Sequence, residues 1–302
     1  MNTLKQPLPA LMTAQELEQL QLRVLKKYDN QRQAGSISEP DRTHSHFRGQ
    51  GMEQFDVRAY QAGDDIRHMD WRAMARSGRA TTKVFSEERG RKLILAVDRS
   101  PGMFFGTRNE LKATSATRAA AIFGFSALSL REPVAAAIFE QTTQCFASTR
   151  TASGLLPALL AIASAPATNV NDTPSTLSVF LTHLCQQFER HATLCLISDF
   201  QNITQDDNHV FAALAGHFNV VALQVIDPAE EKLQDSGILK MRSPDSLLTA
   251  EINTSDANIR HHYQTIMAQR QKDLSILFQR NGIQSRKLYT NVDTFSQLDG
   301  ML

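Results

Sequence analysis

"LILAVDRSPGMFFGT" (residues 93–107) carries an unbroken apolar run into Asp98 and then breaks at Ser100, Pro101 and Gly102. A continuous apolar run closed by turn residues is the form a strand takes when both faces of its sheet are covered. The same form recurs in "ATLCLISDF", which ends at Asp199, and in "NVVALQVID", which ends at Asp227. Helical spacing fills the gaps, over about 109–130, 153–164, 176–190 and 207–217, beside a strand "VAAAIF" and a short strand "TQCFA". Alternation of this kind predicts an α/β fold: a doubly wound, mostly parallel sheet with right-handed crossovers. Ligands of such sheets bind beyond the carboxyl ends of the strands, so Asp98 and Asp199 are placed on the functional face.

Upstream, Thr13 and Glu16 fit a capping box, and Leu17, Leu20, Val24 and Tyr28 recur at helical spacing, which predicts a helix over 14–32. "QAGSISEP" (33–40) reads as a linker that closes an N-terminal segment of residues 1–40. Residues 41–91 have a different texture: short alternating pieces such as "FDVRAY" and "TTKVFS" predict a small, mainly β attachment. The α/β domain is then 92–302. Within it, "GILKMRS", "SPDS" and "LLTAEIN" read as a hairpin inserted near 229–255. A last long helix over 256–281 is expected to bury Ile259, Tyr263, Ile266, Met267, Leu274, Leu277 and Phe278. Asn281-Gly282 suits its stop, and "IQSRKLYT" supplies a final strand.

Composition is that of an ordinary globular protein: 302 residues, 42% hydrophobic, 32 basic against 31 acidic. Near-balanced charge removes the bulk argument for nucleic acid as a partner. Cys145, Cys185 and Cys195 have neither zinc spacing nor an even count, and read as buried thiols of a reducing compartment. "MNTLKQPLPALMT" lacks the form of a signal peptide, and "GLLPALLAIASAPA" is too short to span a bilayer. The expectation is a cytoplasmic protein with no direct membrane insertion.

Three chemistries suit an acid at a strand end. Phosphate handling by a glycine-rich loop needs a Lys-Ser or Lys-Thr that "DRSPGMFFGT" does not have. A metal-dependent phosphotransfer enzyme with Asp98 as nucleophile is a closer rival, although such enzymes generally want a second acid where Ser100 stands. A divalent-metal site is the second chemistry: Asp98, Ser100 and Asp199, with Thr173 or Ser175 completing the set, make a hard oxygen shell suited to Mg²⁺ or Mn²⁺. The third role is structural, because Asp or Ser after a strand often caps the next turn. From the two acids alone, the metal and structural readings stand level.

Asp98-Arg-Ser100-Pro-Gly102 resembles the Asp-x-Ser-x-Ser opening of the metal-ion-dependent adhesion site of von Willebrand factor A domains, and "LISDF" resembles the later aspartate strand of that fold. The block "FRGQGMEQFDVRAYQAGDDIRHMDWRAMARSGRATTKVFSEERGRKLILAVDRSPGMFFG" resembles the signature of the bacterial family called domain of unknown function 58. The resemblance implies a von Willebrand A-like domain with an N-terminal extension, acting as a partner or adaptor of a MoxR-type AAA+ ATPase. It also implies a metal held by Asp98, Ser100, Thr173 and Asp199 that accepts a carboxylate from a binding partner. Gly102 departs from the pattern, where a second serine would supply a hydroxyl.

"GDDIRHMDW" gathers Asp64, Asp65, Arg67, Asp70 and Trp71. Arg can hold carboxylates in bidentate fashion, so the segment reads either as a partner-binding surface or as a salt-bridged turn anchored by Trp71. His44 and His46 have no third ligand placed beside them, and the basic residues between Arg76 and Lys92 alternate with Glu87 and Glu88, which is the pattern of a solvated surface. No Ser-His-Asp arrangement can be argued around Ser100. Together these readings give a non-enzymatic protein-interaction module.

Overall fold

The computed structural model describes residues 11–33, 57–59, 74, 81–83, 92–140, 142–165, 176–242 and 249–301. Helix α1 (Ala14–Gln33) opens on the expected capping box: the Glu16 amide donates to Thr13 Oγ1 at 3.2 Å, and the Thr13 amide donates to Glu16 Oε2 at 2.7 Å. The chain divides into two units, Met1–Phe47 with Arg91–Leu302, and Arg48–Gly90. In the smaller unit β1 (Val57–Ala59) and β2 (Thr81–Lys83) pair antiparallel.

The larger unit is built on a six-stranded sheet of β3 (Leu93–Asp98), β4 (Val134–Phe139), β5 (Thr143–Thr149), β6 (Thr193–Ser198), β7 (Asn219–Ile226) and β10 (Gln284–Tyr289). Their order is β10-β7-β6-β3-β4-β5, parallel throughout except for β5, which returns antiparallel along β4. This is the mostly parallel α/β architecture expected from the alternation of buried strands and helices. Central strands β3, β4 and β6 are buried along their whole length. Their alternate residues feed two cores. Leu93, Leu95 and Val97 face α1, α2 (Lys112–Ser129), α3 (Ala152–Ala163) and α8 (Thr294–Leu298). Ile94 and Ala96 face α4 (Leu177–Gln187), α5 (Asn208–His217) and α7 (Ala257–Arg280). Helices on both faces explain why these strands show continuous rather than alternating hydrophobicity.

The inserted hairpin is present as β8 (Ile238–Arg242) and β9 (Thr249–Asn253), following a helical turn α6 (Pro228–Glu231). Two expectations need correction. Of the residues assigned to the buried face of the last long helix, only Leu274, Leu277 and Phe278 are buried, whereas Ile259 and Ile266 are exposed. The reason is length: 24 helical residues span about 36 Å, while the six-residue strands beneath span about 20 Å. The N-terminal half of α7 therefore outruns the sheet. The cysteines also differ from one another, with Cys195 buried, Cys185 half-buried and Cys145 exposed on the edge strand β5. Among the described residues no helix is long and apolar enough to cross a membrane.

Candidate functional site

Three parallel strands, β3, β6 and β7, deliver acids to the same sheet end: Asp98 closes β3, Asp199 follows β6 and Asp227 follows β7. Asp98 is buried, and both its oxygens are engaged. Oδ1 accepts the Ser100 amide at 2.7 Å, and Oδ2 accepts the Ser198 hydroxyl at 2.5 Å. Ser198 in turn accepts the Phe200 amide at 2.9 Å, so the hydroxyl before Asp199 ties the two strand ends together. Burial, together with the nearby Asp199 charge, pushes the Asp98 carboxyl up to about 6.

Asp199 is held by the ammonium of Lys112, the first residue of α2. Lys112 Nζ lies 2.7 Å from Asp199 Oδ2 and 2.5 Å from Glu230 Oε1, and the lysine side chain is fully buried. A buried lysine is rare unless paired, and this one is paired twice. Glu230 Oε1 also accepts Gln201 Nε2, and Glu230 Oε2 accepts the Asp227 amide at 3.0 Å. Gln201 closes the ring through its amide, which donates to Asp199 Oδ1 at 3.0 Å. Burial raises the Glu230 carboxyl above its ordinary range, although the Lys112 ammonium opposes the shift.

The loop between β3 and α2 frames this ring. Gly106 packs so closely on the Glu110 carbonyl that a Cβ has no room, and the Lys112 amide reaches back to the Phe105 carbonyl at 2.9 Å. The Phe105 ring lies over the Lys112 ammonium at 5.7 Å, and it keeps 39% of its surface in solvent. Arg99 turns the other way: its guanidinium donates to the Ile162, Ser164 and Ala165 carbonyls at the C-terminal end of α3 and pairs with Glu140 at 3.3 Å. A cation there complements the helix dipole.

A model of the DUF58 family, described as a protein of unknown function, matches residues 56–273. The chain belongs to the DUF58 family. It is 26% identical over 254 residues to the uncharacterized protein Rv1480 of Mycobacterium tuberculosis and, to the same extent, to Mb1516 of Mycobacterium bovis. The alignment covers 83% of this chain and 78% of either relative. Similar solved structures include BatB of Bacteroides thetaiotaomicron (14% identity, TM-score 0.43, 70% of this chain and 98% of that one). An aerotolerance-related membrane protein of Bacteroides fragilis gives 12% identity and a TM-score of 0.44, over 70% of this chain and 96% of that one. A von Willebrand factor type A protein of Catenulispora acidiphila gives 12% identity and a TM-score of 0.33, over 63% of this chain and 43% of that one.

In this DUF58 chain the structure brings Asp98, Ser100 and Asp199 to one place. Thr173 and the whole of Asp64, Asp65, Arg67, Asp70 and Trp71 lie outside the described residues. The described donors do not fit a divalent cation of the adhesion type. Residue 102 has no hydroxyl, and a Cβ built there would sit 3.1 Å from Asp199 Oδ2. That oxygen is already bonded to a fixed ammonium. Lys112, Ser198, Gln201 and Glu230 were not singled out from the sequence. A signal for two of them was present: Lys112 begins a helix of mostly small and apolar residues in which Arg118 is the one other charge, and Glu230 closes the capping box of "DPAE", whose first residue is a strand-end acid.

Proposed function

We propose that this DUF58 chain is a non-enzymatic, cytoplasmic interaction module that recognises a protein partner with the face formed by the ends of β3, β6 and β7. The observation that carries the reading is Phe105, an exposed aromatic ring seated against the hydrogen-bonded ring around Lys112. Large aromatic side chains held rigidly on a surface are the usual energetic anchors of interfaces. Asp98 suits support rather than nucleophilic attack, because each of its oxygens already holds an internal donor. The family resemblance makes a MoxR-type AAA+ ATPase the partner to test first.

The test is equilibrium binding between the purified chain and a purified MoxR-type ATPase from the same organism, with and without nucleotide. Phe105→Asp should weaken binding by about a hundredfold, the scale of a lost interface anchor. Ile266→Asp, on the exposed part of α7, should leave binding unchanged. Equal affinity of the Phe105→Asp and wild-type chains would overturn the reading. A response to beryllofluoride that Asp98→Asn abolishes would instead establish the phosphotransfer alternative.

A further inference from the structure

Among the described residues of the strand-end face, Lys112 is a feature that the adhesion-type motif does not call for. Its ammonium sits in the interior between two carboxylates from different strand ends, with the Phe105 ring across its outer side. Both carboxylates are themselves fixed: Asp199 by the Gln201 amide, Glu230 by Gln201 Nε2 and the Asp227 amide. The result is a closed ring of Lys112, Asp199, Gln201 and Glu230. A hard divalent cation at this place would be expected to draw on the same carboxylate oxygens.

Gly102 supplies the second, independent observation. Its missing Cβ would point at Asp199 Oδ2, 3.1 Å away, and at Gln201 Oε1, 3.6 Å away. A serine hydroxyl there would therefore reach toward the oxygen that Lys112 holds at 2.7 Å. In a metal site of the Asp-x-Ser-x-Ser type, hydroxyl and carboxylate would converge on one cation. Here the hydroxyl is absent and the carboxylate oxygen is committed to the ammonium. The two departures from the pattern answer each other.

We infer that Lys112 supplies, from within the chain, the positive charge that a divalent cation supplies in the adhesion-type motif resembled by residues 98–102, with Gly102 as its steric counterpart. Lys112 is thus a positioning residue: it fixes Asp199 and Glu230, and through them the loops that carry Phe105 and Gln201. The strand-end face is then set by folding alone and is indifferent to metal supply. This inference does not rest on the recognition reading above, since it concerns the source of the charge and not what docks on the face.

The experiment is Mn²⁺ titration followed by electron paramagnetic resonance, which counts free and bound ion directly. Wild type should show no saturable binding up to millimolar Mn²⁺. The double variant Lys112→Met with Gly102→Ser removes the ammonium and restores the hydroxyl, and it should bind one Mn²⁺ per chain. Adding Asp199→Asn should abolish that binding. A lysine that merely filled space would not control metal affinity, so the gain separates the two roles. Should the double variant not fold, Lys112→Gln with Gly102→Ser keeps a hydrogen-bond donor in place of the ammonium and should show the same gain. Stoichiometric Mn²⁺ binding by wild type that Asp98→Ala and Asp199→Ala each eliminate would overturn the inference. So would a folded double variant that binds no Mn²⁺. Partner binding by Phe105→Asp leaves all of these outcomes untouched, and the two readings fail separately.

Discussion

Asp98 and Asp227 end parallel strands of one sheet, both buried, yet their surroundings treat them in opposite ways. Asp227 receives four donors: the Thr107 amide at 2.8 Å and hydroxyl at 2.5 Å, the Ala229 amide at 2.9 Å and the Thr290 hydroxyl at 3.1 Å. Burial alone would raise its carboxyl, but these bonds outweigh burial and hold it below the ordinary range. At Asp98 burial weighs most, a like charge lies beside it and the donors are fewer, so its carboxyl rises to about 6. Topology therefore places an acid, and the donors around it decide whether it is comfortable as an anion. Asp199 differs from both in meeting an internal cation, the Lys112 ammonium, beside the Gln201 amide.

The largest disturbance of this contrast is removal of that cation. Lys112→Met leaves the buried Asp199 and the half-buried Glu230 without their shared ammonium and should cost about 3–5 kcal/mol in denaturant unfolding. Asp227→Ala, which strands the part-buried donors of Thr107 and Ala229 and the buried hydroxyl of Thr290, should cost ~3 kcal/mol by the same measurement. The third effect is a matter of sign. A carboxyl raised in the folded state binds more protons there than in the unfolded chain, so its contribution to stability falls as pH rises from about 4 to about 6. A rise of about two units over an ordinary aspartate amounts to ~3 kcal/mol at most. Asp98→Asn should flatten that part of the stability profile and exceed wild type at pH 8. Asp227 acts in the opposite sense: its stabilisation is present above the ordinary aspartate range and is lost as pH falls through its depressed value. Asp227→Asn should therefore flatten only the acid limb. The smallest effect belongs to an exposed acid of similar local bonding. Asp293 caps α8 and pairs with Arg23 in solvent, and Asp293→Asn should change stability by less than about 1 kcal/mol.

The strand ends could be read from the sequence because β3, β6 and β7 are written as continuous apolar runs that stop at an acid. Such runs follow from burial on both faces, which is a local property of each strand. The ring around Lys112 could not be read this way. Lys112 meets Asp199 and Glu230 across 87 and 118 residues of chain, and local patterning treats a lysine as a solvated group. The exposed half of α7 failed for a related reason. Its apolar spacing is helical, but whether a helical stripe is covered depends on how far the sheet beneath it extends. Cys145 shows the same limit at the sheet edge, since an apolar neighbourhood in sequence says nothing about which strand is outermost. The aspartates and Trp71 of "GDDIRHMDW" fall outside the described residues, and the reading of that segment stands as an expectation.

Helix α1 has a consequence for the order in which the molecule is assembled. Its apolar side, Leu17, Val24 and Tyr28, joins the core on one face of the sheet. Its outer side is fastened to the far end of the chain: Lys27 reaches both the carboxylate and the carbonyl of Asp299, and Arg23 lies over the Phe295 ring at 4.2 Å. A twenty-residue helix with a polar composition is marginal alone in water. Its apolar side can pack as soon as the core on that face forms, but its polar side is secured only when α8 is in place. Removing residues 293–299 would therefore loosen α1 across 270 residues of chain, and not only the segment removed.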